Sequence, residues 1–471
     1  MKKKERVVLI HPPLRHIVPA ATPEYVDKNR GCMPPMGLLY LQAAIEKAGH
    51  ESIFLDANLE GWDYDETARN ALSHAPDIVG IQAMTFTLPD AYLVANAVKK
   101  LDHDVKIVIG GPHANIFAKE TAALDAIDFA FSGEGEFRFP LFLESYRNPD
   151  ALAAIPGIAS KIKGKIQYTE NTALVQDIDT IPYPARQSSR YRNYSSVLAE
   201  RNPITVMITS RGCPFKCVFC KRMGRTYRAH SADYVLGEME EILTLGIGEI
   251  FIHDDTFSLD RERVKVICQG MIERGYPLIW QARTRVDSVD EGMLDLMRKA
   301  GCHRLSFGVE SGSEKVLKSM RKGINISQVE RVFEWCRKSG IVTLADFMFG
   351  NLDEDAEDIR KSLELVDRIK PDFVQYSICS PYPDTDLYKL GLEKGLITRD
   401  IWLELARNPL MEFRSPVWAQ HFTEEELVKI TAMAYRKFYM RPFFILKQLR
   451  KIHSVEHIKT LVSGAIGMAK K

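Results

Sequence analysis

Three cysteines on one short stretch are the residues of this chain best suited to do chemistry. Cys213, Cys217 and Cys220 follow the spacing Cys-x-x-x-Cys-x-x-Cys, with Phe219 directly before the last thiol. Soft sulfur ligands select zinc or iron–sulfur clusters. A structural zinc site needs a fourth ligand, usually from a second Cys or His pair at a recognisable distance, and no such pair follows. Cys268, Cys302, Cys336 and Cys379 stand singly in stretches that read as helix or strand, where buried free cysteine is common. Three ligands without a fourth describe an iron–sulfur cubane with one iron left open. The competing reading is a zinc loop or an incidental group of thiols.

The elements around this loop must position it. The apolar run Ile204, Val206, Ile208 reads as a strand ending at a Ser-Arg-Gly turn just before Cys213. From there strand and helix patterns alternate. Strands are expected at Ile204–Thr209, Glu249–His253, Leu278–Ala282, Arg304–Gly308, Thr343–Phe349 and Phe373–Cys379, with helices between them. Six such units make a partial (β/α)6 barrel, open at one side with room for a large substrate. Functional groups in barrels gather on loops at the carboxyl ends of the strands, and the cysteine loop is the first of these.

Residues 1–145 alternate in the same way, with strands expected at Val7–His11, Ser52–Asp56, Asp77–Gln82, Lys106–Ile109 and Ala126–Phe131. This pattern predicts a flavodoxin- or Rossmann-like parallel sheet between helices, whose ligands bind at the carboxyl ends of the strands. Three loops there stand out: Pro34-Pro35-Met36-Gly37, Gly110-Gly111-Pro112-His113 and Gly133-Glu134-Gly135-Glu136. Paired glycines let a backbone approach a bulky ligand, or simply turn with positive φ.

The stretch ITVMITSRGCPFKCVFCKRMGR resembles the radical S-adenosylmethionine (SAM) superfamily. Joined to the glycine loops of the first domain, the whole resembles its cobalamin-binding, class B branch. That resemblance implies a 4Fe-4S cluster on Cys213, Cys217 and Cys220, SAM chelated by the open iron, and reductive cleavage to a 5′-deoxyadenosyl radical. It implies SAM contacts from Asp254 and Asp255 after the second barrel strand, Gln281 and Arg283 at the third, and Glu310 at the fourth. For Asp255 the alternative is a helix N-cap, and for Gln281 and Arg283 an internal polar role. It implies a cobalamin cradle from Gly110, Gly111, Pro112, His113, Gly133, Glu134 and Gly135. The Asp-x-His-x-x-Gly of many cobalamin proteins is replaced here by His11-Pro12-Pro13-Leu14-Arg15-His16, so no histidine is assigned to cobalt. His113 reads as a wall or hydrogen-bonding residue. Departures also occur at Phe349–Glu354, in place of Gly-x-Pro-Gly-Glu, and at Asp384, where the family's turn has glycine.

Composition is ordinary for a soluble globular protein, with 45% hydrophobic and 27% charged residues. Lys+Arg 63 against Asp+Glu 62 leaves a net charge of +1, so no global field points to nucleic acid. Eight cysteines in 471 residues make no disulfide scaffold and fit a reducing compartment. The apolar run at the start is too short for a signal peptide. No run of eighteen apolar residues occurs. The expected place is the cytoplasm.

Residues 146–202 read as a linker, through breakers such as QDIDTIPYP at Gln176–Pro184. Residues 393–471 read as a helical extension, with Thr423 and Glu426 as a capping box. Its basic, aromatic end reads first as a cap on the open barrel and second as a peripheral membrane contact on the inner face. The expected activity is modification of an unactivated carbon in a small-molecule or lipid-like substrate, most simply methyl transfer. The electron donor would be of the flavodoxin or ferredoxin kind. The alternatives are ring formation or rearrangement on the same architecture and, from another class, a cobalamin sensor or carrier. A methylthiolating enzyme would need a second cysteine group, and Cys32 stands alone in the first domain.

Overall fold

The computed structural model describes residues 4–16, 31–170, 174–196, 198–221, 224 and 226–449. The first sheet takes β1 (Arg6–His11), β2 (Glu51–Asp56), β3 (Ile78–Gln82), β4 (Lys106–Gly110) and β5 (Phe129–Phe131) in the spatial order β2-β1-β3-β4-β5, all parallel. The inner residues of β1 are all buried, as a strand covered by helices on both faces requires. The order reverses beside β1, and this flavodoxin-like reversal opens a ligand crevice at the carboxyl ends of β1 and β3.

Two antiparallel strands, β6 (Ile158–Ile162) and β7 (Lys165–Tyr168), extend the sheet beyond β5. The expected linker at 146–202 is corrected accordingly: its first third completes the first domain. The hairpin turns on Lys163 (φ +49°) and Gly164 (φ +77°), the two positive φ values that a two-residue type I′ turn demands. The sequence signal is IKGK, short enough to pass as loop.

The second sheet runs β8 (Ile204–Met207), β9 (Glu249–Ile252), β10 (Ile279–Thr284), β11 (Cys302–Glu310), β12 (Val342–Phe349) and β13 (Phe373–Ile378), parallel throughout and left open between first and last. Its outer face carries the main core, including Trp280, Phe307, Phe333 and Phe347. Each returning helix starts on a side-chain cap: Ser231, Asp260, Asp290, Asn325 and Asp355 accept from the backbone three residues on. Each such cap is worth about 1 kcal/mol and fixes where a functional loop ends.

The last barrel strand would expose a ladder of unpaired groups. The C-terminal helix α1 (Glu424–Tyr439), begun by the expected Thr423–Glu426 capping box, covers that edge through two tyrosines. Tyr435 Oη accepts from Tyr376 N (3.1 Å) and donates to Tyr376 O (2.9 Å); Tyr439 does the same at Val374 (3.2 and 2.7 Å). Tyr435→Phe leaves a buried N–H and C=O unpaired at once. It is expected to cost about 1–3 kcal/mol in a denaturant titration, against a few tenths for an exposed tyrosine such as Tyr382. The tail expectation falls partly on residues 450–471, which lie outside the described residues. Among those described, no helix is long and apolar enough to cross a membrane.

Candidate functional site: the barrel mouth against the first domain

The cysteine loop leaves β8 through Thr209 and Ser210, and both are gathered by Asp254. Its carboxylate accepts from Thr209 N and Oγ1 (2.6 and 2.6 Å) and from Ser210 N and Oγ (3.0 and 2.7 Å). Four donors saturate a buried carboxylate, so the expected SAM role of Asp254 is corrected to a structural one. Asp255 is exposed beside it on the same loop. The helix-cap alternative for Asp255 does not hold, because Asp260 caps the helix that follows.

A two-residue ladder then closes the base of the loop: Ser210 pairs with Ala229 and Arg211 with Arg228. Gly212 sits at φ +84°, and a Cβ there would lie 2.2 Å from Thr226 O. Glycine is therefore obligatory where the loop departs. Apolar and aromatic residues between the cysteines anchor it. Val218 donates to Met320 O (3.1 Å) and accepts from Leu387 N (2.9 Å), while Val218 and Phe219 pack with Met320, Met348 and Trp418. The Phe215 ring meets the Arg285 guanidinium at 3.6 Å, itself held by Asp287 (2.8 Å). These contacts leave Cys213 and Cys217 half-buried and Cys220 exposed, with Cys213 Sγ 3.9 Å from Thr256 Oγ1.

Among the described residues no three His, Cys, Asp or Glu side chains converge as ligands of a single ion would. A cubane asks for something else: separate thiolates, one per iron, on a loop accessible from the barrel. The three thiols fit that demand better than they fit zinc.

Glu310 comes to the same place. It ends β11 at a register shift with φ +68°, a conformation costing a non-glycine residue about 1–3 kcal/mol. Its Oε1 accepts from Lys322 Nζ (2.7 Å), which also lies 5.9 Å from the Phe219 ring. Arg283 faces the lumen, exposed, with Nη1 3.4 Å from His253 Nε2 and its guanidinium 5.5 Å from the Phe251 ring. Partial desolvation, then Arg283, lowers the His253 pKa, while the residue keeps an exposed face. Gln281 is elsewhere. Strand β10 runs to Thr284, so Gln281 lies mid-strand, bonded to Glu249 (2.8 Å) and Arg304 (3.1 Å). Glu249 opens β9, which puts this network at the amino ends of the strands, away from the cysteines. The expected SAM role of Gln281 is corrected to the internal polar alternative. Asp384 takes φ +59° as the family's glycine would, and its carboxylate meets Lys389 (2.7 Å) and Lys221, next to Cys220.

In the first domain, Gly110 ends β4 and Gly111 turns at φ +105°, where a Cβ would meet Ala83 O at 2.8 Å. His113, fully buried, has Nδ1 3.4 Å from Thr85 Oγ1 and no partner on Nε2; Gln82 Oε1, at the end of β3, is buried and unpartnered too. Burial pushes the His113 pKa down to about 3, so its ring is neutral. Orphaned polar atoms at the carboxyl ends of β3 and β4 fit a ligand rich in amides, as the corrin rim is. Gly133 N is bonded to Asn115 Oδ1 (2.5 Å). Gly135 opens the helix Gly135–Ser145, where a Cβ would press on Leu41 at 3.3 Å. Glu134 is corrected from cobalamin contact to domain contact: its carboxylate accepts from Arg228 Nη1 and Nη2 (2.9 Å each) and Arg211 Nη1 (3.0 Å). Sequence reasoning passed over Arg211, Arg228, Arg285 and Lys322. Only Arg211, within the Ser-Arg-Gly turn, carried any local signal.

This arrangement has close relatives. The chain matches the Radical SAM superfamily over residues 207–366 and the B12 binding domain over residues 25–143. It is 32% identical to an uncharacterized methyltransferase of Pyrococcus horikoshii across 92% of this chain and 93% of that protein. The chain belongs to the cobalamin-binding radical SAM enzymes. Its cofactors are a 4Fe-4S cluster, SAM and cobalamin, and cleavage of SAM draws its electron from a reductant. An anaerobic magnesium-protoporphyrin IX monomethyl ester cyclase of Rubrivivax gelatinosus is 26% identical over 88% of this chain and 75% of its own length. The fold matches that of the cobalamin-dependent SAM radical enzyme OxsB, with a TM-score of 0.75, 18% identity, and coverage of 99% of this chain and 72% of that one.

Two carboxyls held away from water, on β12 and on the loop after it, give this radical SAM enzyme a pH response. Burial, then Glu310, raises the Asp346 pKa to about 7, and burial raises that of Glu354 to about 7. An acid raised in the folded state holds its proton there while the unfolded chain has lost it. Stability from these two is therefore present below the ordinary carboxylate range and lost as pH rises toward 7. Asp346→Asn removes one share only. The variant's denaturant midpoint is expected to decline less than the parent's between about pH 5 and about pH 8.

Proposed function

We propose that this enzyme transfers a methyl group to an unactivated carbon of a small molecule, with Cys213, Cys217 and Cys220 holding the cluster. The observation that carries this reading is the placement of the half-exposed thiols at the barrel mouth, tied by Arg211 to the glycine-rich edge of the cobalamin-binding sheet. When bound, the cluster supplies the electron that splits SAM, and cobalamin supplies a carrier for the methyl group.

The chain's own residues bind, orient and exclude water. Lys322 aims Glu310 at the loop, where its carboxylate suits a hydrogen-bond donor of SAM. Arg283 offers the lumen an exposed guanidinium suited to a carboxylate, and Asp255 a second acidic contact. Gly110, Gly111 and Pro112, with Gly133, line the crevice assigned to the corrin, and the buried, neutral His113 backs it. The capped helices and the Tyr435–Tyr439 edge keep the lumen walled on the side where the barrel does not close.

The methyl-transfer reading is preferred to ring formation because the relative at 32% identity is named a methyltransferase, whereas the cyclase relative stands at 26%. Anaerobic enzyme with cluster, cobalamin, a low-potential flavodoxin and SAM labelled in its methyl group decides it. Label is expected in a product from a panel of small molecules, together with 5′-deoxyadenosine. 5′-Deoxyadenosine with an altered but unlabelled product would establish cyclisation or rearrangement instead.

A further inference from the structure

The base of the cysteine loop is held from outside the barrel. Arg211 and Arg228 face one another across its two-residue ladder, and a single carboxylate of the first domain, Glu134, lies between them. Arg228 binds it in a fork at 2.9 and 2.9 Å, and Arg211 reaches it at 3.0 Å and the neighbouring Glu136 at 2.6 Å. Val175 N adds a fourth bond to Glu134 (3.2 Å). Side-chain exposure is 8% for Glu134, 5% for Arg228 and 17% for Arg211, so water screens these contacts little. Gly212 and Cys213 follow Arg211 directly. Gly133, on the other side, precedes Glu134 at the carboxyl end of β5.

We infer that Glu134 is a positioning residue that sets the cysteine loop against the cobalamin-binding sheet. Two guanidinium groups at a ladder step repel, and the anion between them converts that repulsion into a clamp. The clamp joins the last turn before the cluster loop to the loop that frames the corrin crevice. If both cofactors serve one carbon, as in the proposed methyl transfer, sub-ångström errors between them are costly. The clamp's relevance to turnover rests on that reading; its existence as a mechanical joint does not.

The test uses the full chain with Glu134→Gln, which preserves shape and removes the charge. In the cofactor-free protein, amide exchange across residues 212–221 is expected to quicken about tenfold or more, since an opened clamp lowers local protection by that order. Exchange at β12, remote from the clamp, stays unchanged. In the reconstituted protein, iron and cobalamin contents stay near parental, and the dipolar coupling between the reduced cluster and cob(II)alamin broadens.

Unchanged exchange and unchanged coupling would overturn the inference. So would a loss of protection spread evenly over β12 and the loop, which would mark a purely structural ion pair. Arg211→Lys keeps both cations but loses the guanidinium that reaches Glu134 and Glu136 together, and gives a smaller change of the same kind; it carries the test if Glu134→Gln does not accumulate as folded protein. A parent that makes no methylated product removes the proposed reaction but leaves the exchange result standing.

Discussion

Alanine at any one of Cys213, Cys217 or Cys220 is expected to strip the chain of its cluster iron and to reduce 5′-deoxyadenosine formation to background. A cubane already short of one protein ligand is left with two thiolates, and two do not retain three fixed irons against solvent at a half-exposed loop. The effect should be local. Val218, Phe219 and Phe215 hold the loop through packing and the Arg285 contact, so the apoprotein's unfolding transition should move little. Iron and sulfide assays with electron paramagnetic resonance of the reduced protein check this. Cys268→Ala and Cys336→Ala are the controls. These thiols are buried among apolar side chains, and burial pushes their pKa up to about 12, so they remain protonated and should keep iron at the parental level. Iron retained by Cys217→Ala would require a different ligand set.

Removing the carboxylate of Glu238 should be the most destabilising single change. Arg186, brought in from the segment before the barrel, and Glu238, on the helix Ala232–Thr244, meet at 2.5 Å with 1% and 0% of their side chains exposed. Arg186 Nη2 also donates to Val206 O (2.8 Å), and Tyr40 of the first domain reaches Glu238 at 3.5 Å. Burial pushes the Glu238 pKa up, and Arg186 opposes it. Glu238→Ala leaves a guanidinium uncompensated where the two domains and the segment between them meet. The expected cost is about 3–5 kcal/mol. Arg186→Met with Glu238→Leu should recover most of it, because the pair itself gains little over apolar packing once its desolvation is counted. Denaturant titrations of the two variants separate the alternatives: equal losses in single and double variants would mean that shape, not charge, is what matters there.

The sequence was legible wherever a local pattern carries its own physics. Soft ligands at close spacing announced a cluster, period-two and helical repeats announced two parallel sheets, and Thr423 with Glu426 announced a cap. It was also legible at the loops, to the extent that a strand end predicts a functional position. It was less legible about what each side chain does there. Asp254 stands on a strand-end loop as expected but is consumed by Thr209 and Ser210, whereas Gln281, expected at a strand end, lies mid-strand and is consumed by Glu249 and Arg304. The same holds for Glu134, which looked like part of a cofactor loop and is spent on two arginines of the other domain.

By itself, then, the chain's order of residues determined the chemistry available, the fold class and the strand-end loops at which function is expected, because these depend on residue type and on spacing along a few turns of backbone. The tertiary structure alone decided which carboxylates are consumed by partners within the chain, how the barrel's open edge is covered by Tyr435 and Tyr439, and how the cysteine loop is fixed to the first domain. The reason is physical: a hydrogen bond or ion pair depends on distances of about 3 Å, and only the packed chain brings Arg211 and Glu134, or Val374 and Tyr439, that close.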